Sequence, residues 1–234
     1  MNLDEFLKEL EIIGIKLSEK QINDLIKYKN FLIEYNKHTN LTRIVDENDI
    51  YLKHFYDSLT IIKYIKINEY KTILDIGTGA GFPGMVLKIV YPNLSVTLLD
   101  SNNKKIAFLK ELIKLLNISV NLVNNRAEEY IKDKRECFDI VVSRAVSFLP
   151  VLLELTIPFV KINGYFIAMK GDATNELQLS KNTANILGAS IKSINNFKLI
   201  KEDSIRTIII YEKNERTKLI YPRSYSKIVK NYLK

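Results

Sequence analysis

Between Thr72 and Gly84 a short β-branched run, ThrIleLeuAspIle, meets four glycines in GlyThrGlyAlaGlyPheProGly. Ile73, Leu74 and Ile76 suit a buried parallel strand, while Gly77, Gly79, Gly81 and Gly84 permit positive φ and let a ligand come close to the backbone. Pro83 has φ preset for a first helical turn, so the loop is expected to deliver a helix from Gly84 to Val90 whose N-terminal amides face that ligand. A strand and turn without a ligand would not need glycine so often. The stretch therefore commits the chain to a strand–loop–helix junction holding a nucleotide-like molecule.

The hydrophobic periodicity on either side of this junction differs. From residue 71 onward short apolar runs at 72–76, 94–99, 119–123, 138–142, 163–169, 190–199 and 205–212 alternate with helical stretches at 83–91, 101–116, 126–132, 147–161 and 173–187. Such alternation predicts a doubly wound, mostly parallel sheet of seven strands. Only IleLysGluAspSer, 200–204, separates the last two strands; that length fits a hairpin and places an antiparallel pair at one edge. Ahead of residue 67 the pattern is purely helical. Leu3, Phe6, Leu7, Leu10 and Ile13 recur at helical spacing and Gly14 ends the run. Ser18 with Gln21 makes a capping box for a second helix striped by Ile22, Leu25, Ile26, Phe31, Leu32 and Tyr35. Asp46 is placed to cap a third helix carrying Ile50, Phe55, Leu59, Ile62 and Ile65. Residues 1–66 thus read as a helical cap, and 67–234 as a Rossmann-like domain with a basic C-terminal tail.

Composition narrows the function classes. A chain of 234 residues with 47% hydrophobic and 26% charged residues is ordinary for a soluble globular protein. No apolar run approaches a membrane span, and the acidic N-terminus is unlike a signal peptide, so the cytoplasm is the expected compartment, with no membrane partner. A single cysteine, Cys137, excludes an internal disulfide and a multi-cysteine zinc site. No metal is expected. Cys137, just before a strand, reads as a core residue rather than a nucleophile. The net charge of +8 is concentrated: residues 213–234 hold seven Lys/Arg against one acid, interleaved with Tyr221, Tyr225 and Tyr232. That pattern suits phosphate contacts and base stacking, the plain alternative being a solvated tail.

The glycine loop fits two cofactors. Gly79, Gly81 and Gly84 satisfy the G-x-G-x-x-G of a dinucleotide fold, and Asp75 with Gly77, Gly79 and Gly81 satisfies the D-x-G-x-G-x-G of S-adenosylmethionine enzymes. Asp100, ending the second strand, can accept hydrogen bonds from ribose hydroxyls in either case. The antiparallel last pair favours the methyltransferase arrangement. So does the third strand's run into AsnAsnArgAlaGluGlu, which places backbone amides and Glu128 where an adenine could be read. Asp75 is expected to brace the loop by accepting backbone N–H bonds. Arg144 ends the fourth strand on the same rim, where open α/β sheets bind ligands, and so is placed near the reaction. No Ser-His-Asp or Cys-His constellation can be assembled from two histidines and one cysteine. His38 and His54 read as structural polar residues at a helix end or an interdomain seam.

Eight motifs in register resemble one family, the bacterial 16S rRNA guanine-N7 methyltransferase G family, historically glucose-inhibited division protein B. They are AsnLysHisThrAsnLeuThr at 36–42, HisPheTyrAspSerLeu at 54–59, AspIleGlyThrGlyAlaGlyPheProGly at 75–84, LeuLeuAspSer at 98–101 with LysLysIleAlaPheLeu at 104–109, AsnArgAlaGluGlu at 125–129, SerArgAla at 143–145, LysGly at 170–171 and TyrProArg at 221–223. The resemblance implies a class I S-adenosylmethionine-dependent methyltransferase fold with an N-terminal helical extension, acting on a guanosine of 16S rRNA. It places cofactor contacts at Gly77, Phe82, Ala127, Glu128 and Arg144, to which the glycine motif adds Gly79 and the ribose consideration adds Asp100. Arg144 is the expected catalytic residue, and Arg223, Lys227 and Lys230 the expected RNA contacts. The sequence departs from the family at Lys105, where arginine is usual, at Tyr35, where tryptophan is common, and in a tail lacking the usual Gly and Pro after Pro222-Arg223.

Guanine N7 carries an available lone pair, so its methylation needs placement rather than a general base. The expected substrate is 16S rRNA or the small ribosomal subunit, and the chain is expected to act as a monomer. Two enzyme alternatives share the loop: a small-molecule methyltransferase with the helical cap as a lid, and an NAD-dependent oxidoreductase. A non-catalytic RNA-binding module would leave the loop and Asp100 without a use.

Overall fold

A computed structural model of the chain describes residues 1–144 and 146–233; Ala145, the last residue of the SerArgAla motif, and Lys234, the last lysine of the tail, lie outside the described residues. The N-terminal helices start where their caps are. α1 (Leu3–Ile12) opens on an Asn2–Glu5 capping box and stops before Gly14, whose φ of +84° suits glycine. α2 (Glu19–Thr39) opens on the expected Ser18–Gln21 box and ends at Asn40 in the left-handed region.

The third helix is not the single regular helix that its apolar spacing suggests. Asp46 caps α3 (Glu47–Asp49), a wider π-helical stretch runs from Ile50 to Tyr56, and α4 (Asp57–Leu59) tightens into a 3-10 turn, Thr60–Lys63. The hydroxyls of Ser58 and Thr60 bond back to the carbonyls of His54 and Asp57, offering the backbone alternatives to regular α pairing. π stretches of this kind cluster at functional sites.

The sheet has seven strands: β1 (Thr72–Ile76), β2 (Ser95–Asp100), β3 (Asn121–Asn124), β4 (Phe138–Arg144), β5 (Val160–Lys170), β6 (Ala189–Lys198) and β7 (Ile205–Lys213). Their order is β3-β2-β1-β4-β5-β7-β6. The first five are parallel, and β7 runs antiparallel to both β5 and β6, as the short 200–204 connection requires. The chain changes direction of winding between β1 and β4, which opens a crevice at their carboxyl ends.

The connecting helices are α5 (Gly84–Val90), α6 (Asn103–Leu116), α7 (Ala127–Tyr130), α8 (Leu149–Thr156), α9 (Thr174–Leu179), α10 (Thr183–Ile186) and α11 (Tyr225–Lys230). Two differ from expectation. The stretch 147–161 yields α-helix only to Thr156, because Pro158 has no N–H with which to continue the hydrogen-bond ladder, and β5 begins directly after the 3-10 turn Ile157–Phe159. The polar stretch 173–187 breaks into α9 and α10.

Strand side chains alternate between two cores. Ile73, Leu98, Val142 and Ile210 pack with α1, α2, residues 50–61, α5 and α6, so residues 1–66 share one continuous core with one sheet face. Leu74, Val141, Phe166 and Tyr211 pack with α8, α10 and Ile228 of α11 on the other face. Cys137 is exposed, a correction to its reading as core: it precedes β4, whose first inward residue is Phe138. Among the described residues no helix is long and apolar enough to cross a membrane.

Candidate functional site

The glycine loop folds on itself with its amides turned inward. Gly77, Gly79 and Gly81 have φ of +69°, +62° and +104°. The N–H groups of Gly77 and Thr78 donate to the Leu99 carbonyl, that of Gly79 to Asp100 Oδ2, those of Gly81 and Phe82 to the Thr78 carbonyl, and that of Met85 to the Gly81 carbonyl. Asp75, fully buried, accepts from the Gly84 N–H at 2.8 Å and the Thr78 hydroxyl at 2.7 Å, bracing the loop as its position suggested. A Cβ at Gly84 would stand 2.5 Å from Leu98 and 2.8 Å from Asp75, so only glycine lets α5 sit this close to β1.

This hydrogen bonding corrects one expectation. The start of α5 does not aim its first amide at a ligand, because the carboxylate of Asp75 already occupies that position. A pyrophosphate needs unspent backbone N–H donors at such a turn. Here the amides of the loop from Gly77 to Gly79 and from Gly81 to Met85 are given to internal acceptors, Pro83 having none to give.

The cavity that the loop borders has a volume of about 440 Å³, in the range of small-ligand sites. Gly77, Gly79, Phe82, Asp100, Ala127, Glu128 and Arg144 all line it, so the structure brings together every residue expected at the cofactor. Asp100 holds the Gly79 and Asn102 amides with one oxygen each, at 2.9 Å, and Lys105 Nζ stands 3.7 Å from its Oδ2, so the lone pairs left over face the cavity beside that cation. A Cβ on Gly79 would meet nothing within less than 4.0 Å, so the backbone there borders open cavity. At the end of β3, Asn125, Arg126, Ala127 and Glu128 form the far wall.

These features suit S-adenosylmethionine. Asp100, Glu128 and Arg144 line the cavity, and the loop amides that a phosphate would need are bonded within the protein from Gly77 to Gly79 and from Gly81 to Met85.

Phe82 is the floor of an aromatic stack that sequence spacing did not reveal. Tyr28 of α2 lies parallel to it at 5.3 Å, His54 at 4.3 Å, and the Arg144 guanidinium sits 5.1 Å over its ring. The Tyr28 hydroxyl also donates to the Ala80 carbonyl, so α2 grips the loop directly. Burial and the neighbouring Arg144 charge hold the His54 pKa down at about 3. Its ring is therefore neutral near pH 7, with Nδ1 placed 3.3 Å from Arg144 Nη2 and Nε2 3.2 Å from the Thr42 hydroxyl. That pairing fits the tautomer with Nδ1 accepting.

Arg144 is a half-buried hub. Its Nη1 donates to the Lys53 carbonyl at 2.9 Å and to Asp57 at 3.1 Å, and Asp57 also takes Arg206 at 3.2 Å. The π stretch is what presents Lys53 and His54 to it. Arg144 and His54 form the wall between the first cavity and a second of about 290 Å³, lined further by Asp57, Thr60, Met169, Lys170, Phe197 and Arg206.

The tail residues divide. Arg223 binds Glu154 through Nε at 2.9 Å and Nη2 at 2.6 Å, and Glu154 is fully buried, so this guanidinium is spent in docking the tail. Lys227 and Lys230 are exposed on α11. Tyr225 at the start of α11 lines the first cavity, a placement that the sequence reading missed. Its only sequence signal was its position in the basic, tyrosine-bearing tail.

Comparison with known proteins agrees with this geometry. The sequence profile of the rRNA small subunit methyltransferase G family matches residues 21–205. Ribosomal RNA small subunit methyltransferase G of Bacillus subtilis (strain 168) is 43% identical over 227 residues, 95% of each chain. Its counterpart from Acetivibrio thermocellus is 46% identical over 223 residues, 94% of this chain and 92% of that one. A methyltransferase from Pyrococcus furiosus superposes with a TM-score of 0.53 at 20% identity, over 62% of this chain and 76% of that one, a likeness of fold alone.

Proposed function

The chain belongs to the rRNA small subunit methyltransferase G family, and from that premise we propose that it transfers the methyl group of S-adenosylmethionine to N7 of a guanosine in 16S rRNA. The observation that carries the cofactor half is the inward-turned glycine loop, whose spent amides leave no phosphate cradle beside Asp100, which lines the cavity. The antiparallel β7 between β5 and β6 supports the same half and weighs against a nicotinamide enzyme. Family membership carries the RNA half.

In this reading Gly77, Gly79, Phe82, Asp100, Ala127 and Glu128 hold the cofactor, which supplies an electrophilic methyl on sulfonium. Arg144 is the catalytic positioning group. Clamped by Asp57, Lys53 and His54, it cannot swing away, and it faces both cavities, so the acceptor base is placed on its second-cavity side. Guanine N7 attacks with its own lone pair, and no residue must first remove a proton. His54, neutral and bonded at both ring nitrogens, orients Arg144 rather than moving protons.

Residues 1–66 act as a cap that supplies Tyr28, His54 and Asp57 to the site, residues 67–234 as the methyltransferase domain. Exposed Lys227 and Lys230 contact RNA phosphates, Arg223 being committed to Glu154. On this reading the protein works in the cytoplasm and acts as a monomer.

Transfer of labelled methyl from S-adenosylmethionine to small-subunit rRNA is the test. Arg144→Ala is expected to lower the rate on the order of 100-fold, the scale of a misplaced reactant. An Arg144→Ala protein with full transfer would remove Arg144 from the mechanism.

A further inference from the structure

The tail does more than carry charge. Tyr225 lines the first cavity, and the Arg126 guanidinium, another lining group, lies 5.8 Å from the centre of its ring. Arg126 immediately precedes Ala127 and Glu128, at the end of β3 assigned above to adenine. Tyr225 therefore stands beside the end of the cavity that the reading above gives to adenosine.

This placement is fixed by docking on the opposite sheet face. Ile228 is fully buried in the core beneath α8. Arg223 is held by Glu154 through its backbone N–H at 2.9 Å as well as its side chain. Tyr232 meets Phe148 edge-on at 5.3 Å, and the Leu233 carbonyl accepts from the Thr183 hydroxyl at 2.7 Å. With both flanks held, Tyr225 lines the cavity and remains 41% exposed.

We propose that the C-terminal segment is part of the cofactor site, with the Tyr225 ring forming the outer wall against the adenosine of bound S-adenosylmethionine. This rests on the S-adenosylmethionine reading above. An aromatic face is the surface that a purine base stacks on, and a tyrosine provides it with little loss of conformational freedom. Lys227 and Lys230 follow within the same short helix, so the element that closes on the cofactor also presents cations to RNA phosphate. The departure of this tail from the family pattern then falls on a ligand-contacting element.

Calorimetric titration of S-adenosylmethionine into the full chain, without RNA, tests the placement. Tyr225→Ala and Tyr225→Leu are expected to bind on the order of tenfold more weakly, the loss of one stacked base. Tyr225→Phe, which keeps the ring, and Val229→Ala, an exposed change on the same helix, are expected to stay within about twofold of the parent. The leucine variant retains apolar bulk, so weakening there isolates the aromatic face from the folding of α11. Equal affinity of the parent chain and both Tyr225→Ala and Tyr225→Leu would overturn the placement alone. A parent chain that bound no S-adenosylmethionine would overturn the cofactor reading, and the placement with it.

Discussion

At the scale of single residues, the site depends on where carboxylates are spent. Asp75 gives one oxygen to Gly84 and Thr78, while its Oδ1 has no partner among the described residues. Burial pushes its pKa up from 3.8 to about 6, against the opposing pull of those two hydrogen bonds. Below about 3.8 both folded and unfolded chains hold the proton; between 3.8 and 6 only the folded chain does. The stability from this group is thus present at low pH and lost as pH rises through 6. An Asp75→Asn variant, which does not titrate, is expected to gain on the parent by up to about 3 kcal/mol between pH 4 and pH 7, read from urea unfolding at each pH. A constant difference across that range would show that Asp75 is ionised throughout.

Asp100 shows the complementary case. It serves the backbone with both oxygens and also lines the cavity, as the proposed contact with a ribose requires. Its position at the end of β2 was legible in the sequence because strand ends in an open α/β sheet converge on one rim. The stacking of Tyr28 and His54 on Phe82 was not legible. Those partners lie 54 and 28 residues away in sequence, on helices whose apolar spacing predicts only that they bury a face.

At the scale of elements, strands were easier to place than the segments that build the site. The apolar runs that predicted seven strands match the observed ones within a few residues, since buried parallel strands need continuous β-branched and apolar stretches. The helical segment 47–63 reads as one regular helix by its apolar spacing, but its hydroxyl and turn chemistry widens and then tightens it, turning Lys53, His54 and Asp57 toward Arg144. Apolar periodicity cannot report a change of backbone pitch of this kind.

The tail is the second element whose role changed. Charge counting assigned Arg223 to RNA, whereas pairing assigns it to the fully buried Glu154. Removing its side chain would leave that buried carboxylate with the residue-223 backbone N–H and no cation. Arg223→Ala is expected to cost about 3 kcal/mol in thermal or urea unfolding, because a buried charge is stripped of its partner. A loss below about 0.5 kcal/mol, the usual effect of a surface change, would mean that water reaches Glu154.

At the scale of the whole molecule, the strand order puts the reacting rim between two cores and the N-terminal helices close one side of it. One core joins residues 1–66 to the sheet face beneath α5 and α6, and the other docks α8 and α11 behind the cofactor cavity. Elements from both ends of the chain therefore meet at one site, His54 and Asp57 from the cap and Tyr225 from the tail. The proposed cofactor and RNA contacts both rest on that convergence. The central claim is that this site delivers a methyl group to one guanine N7 of 16S rRNA. Mass mapping of methylated nucleosides in rRNA from cells with and without this gene tests it most directly: the account predicts loss of a single 7-methylguanosine from 16S rRNA, and an unchanged 7-methylguanosine map would contradict it.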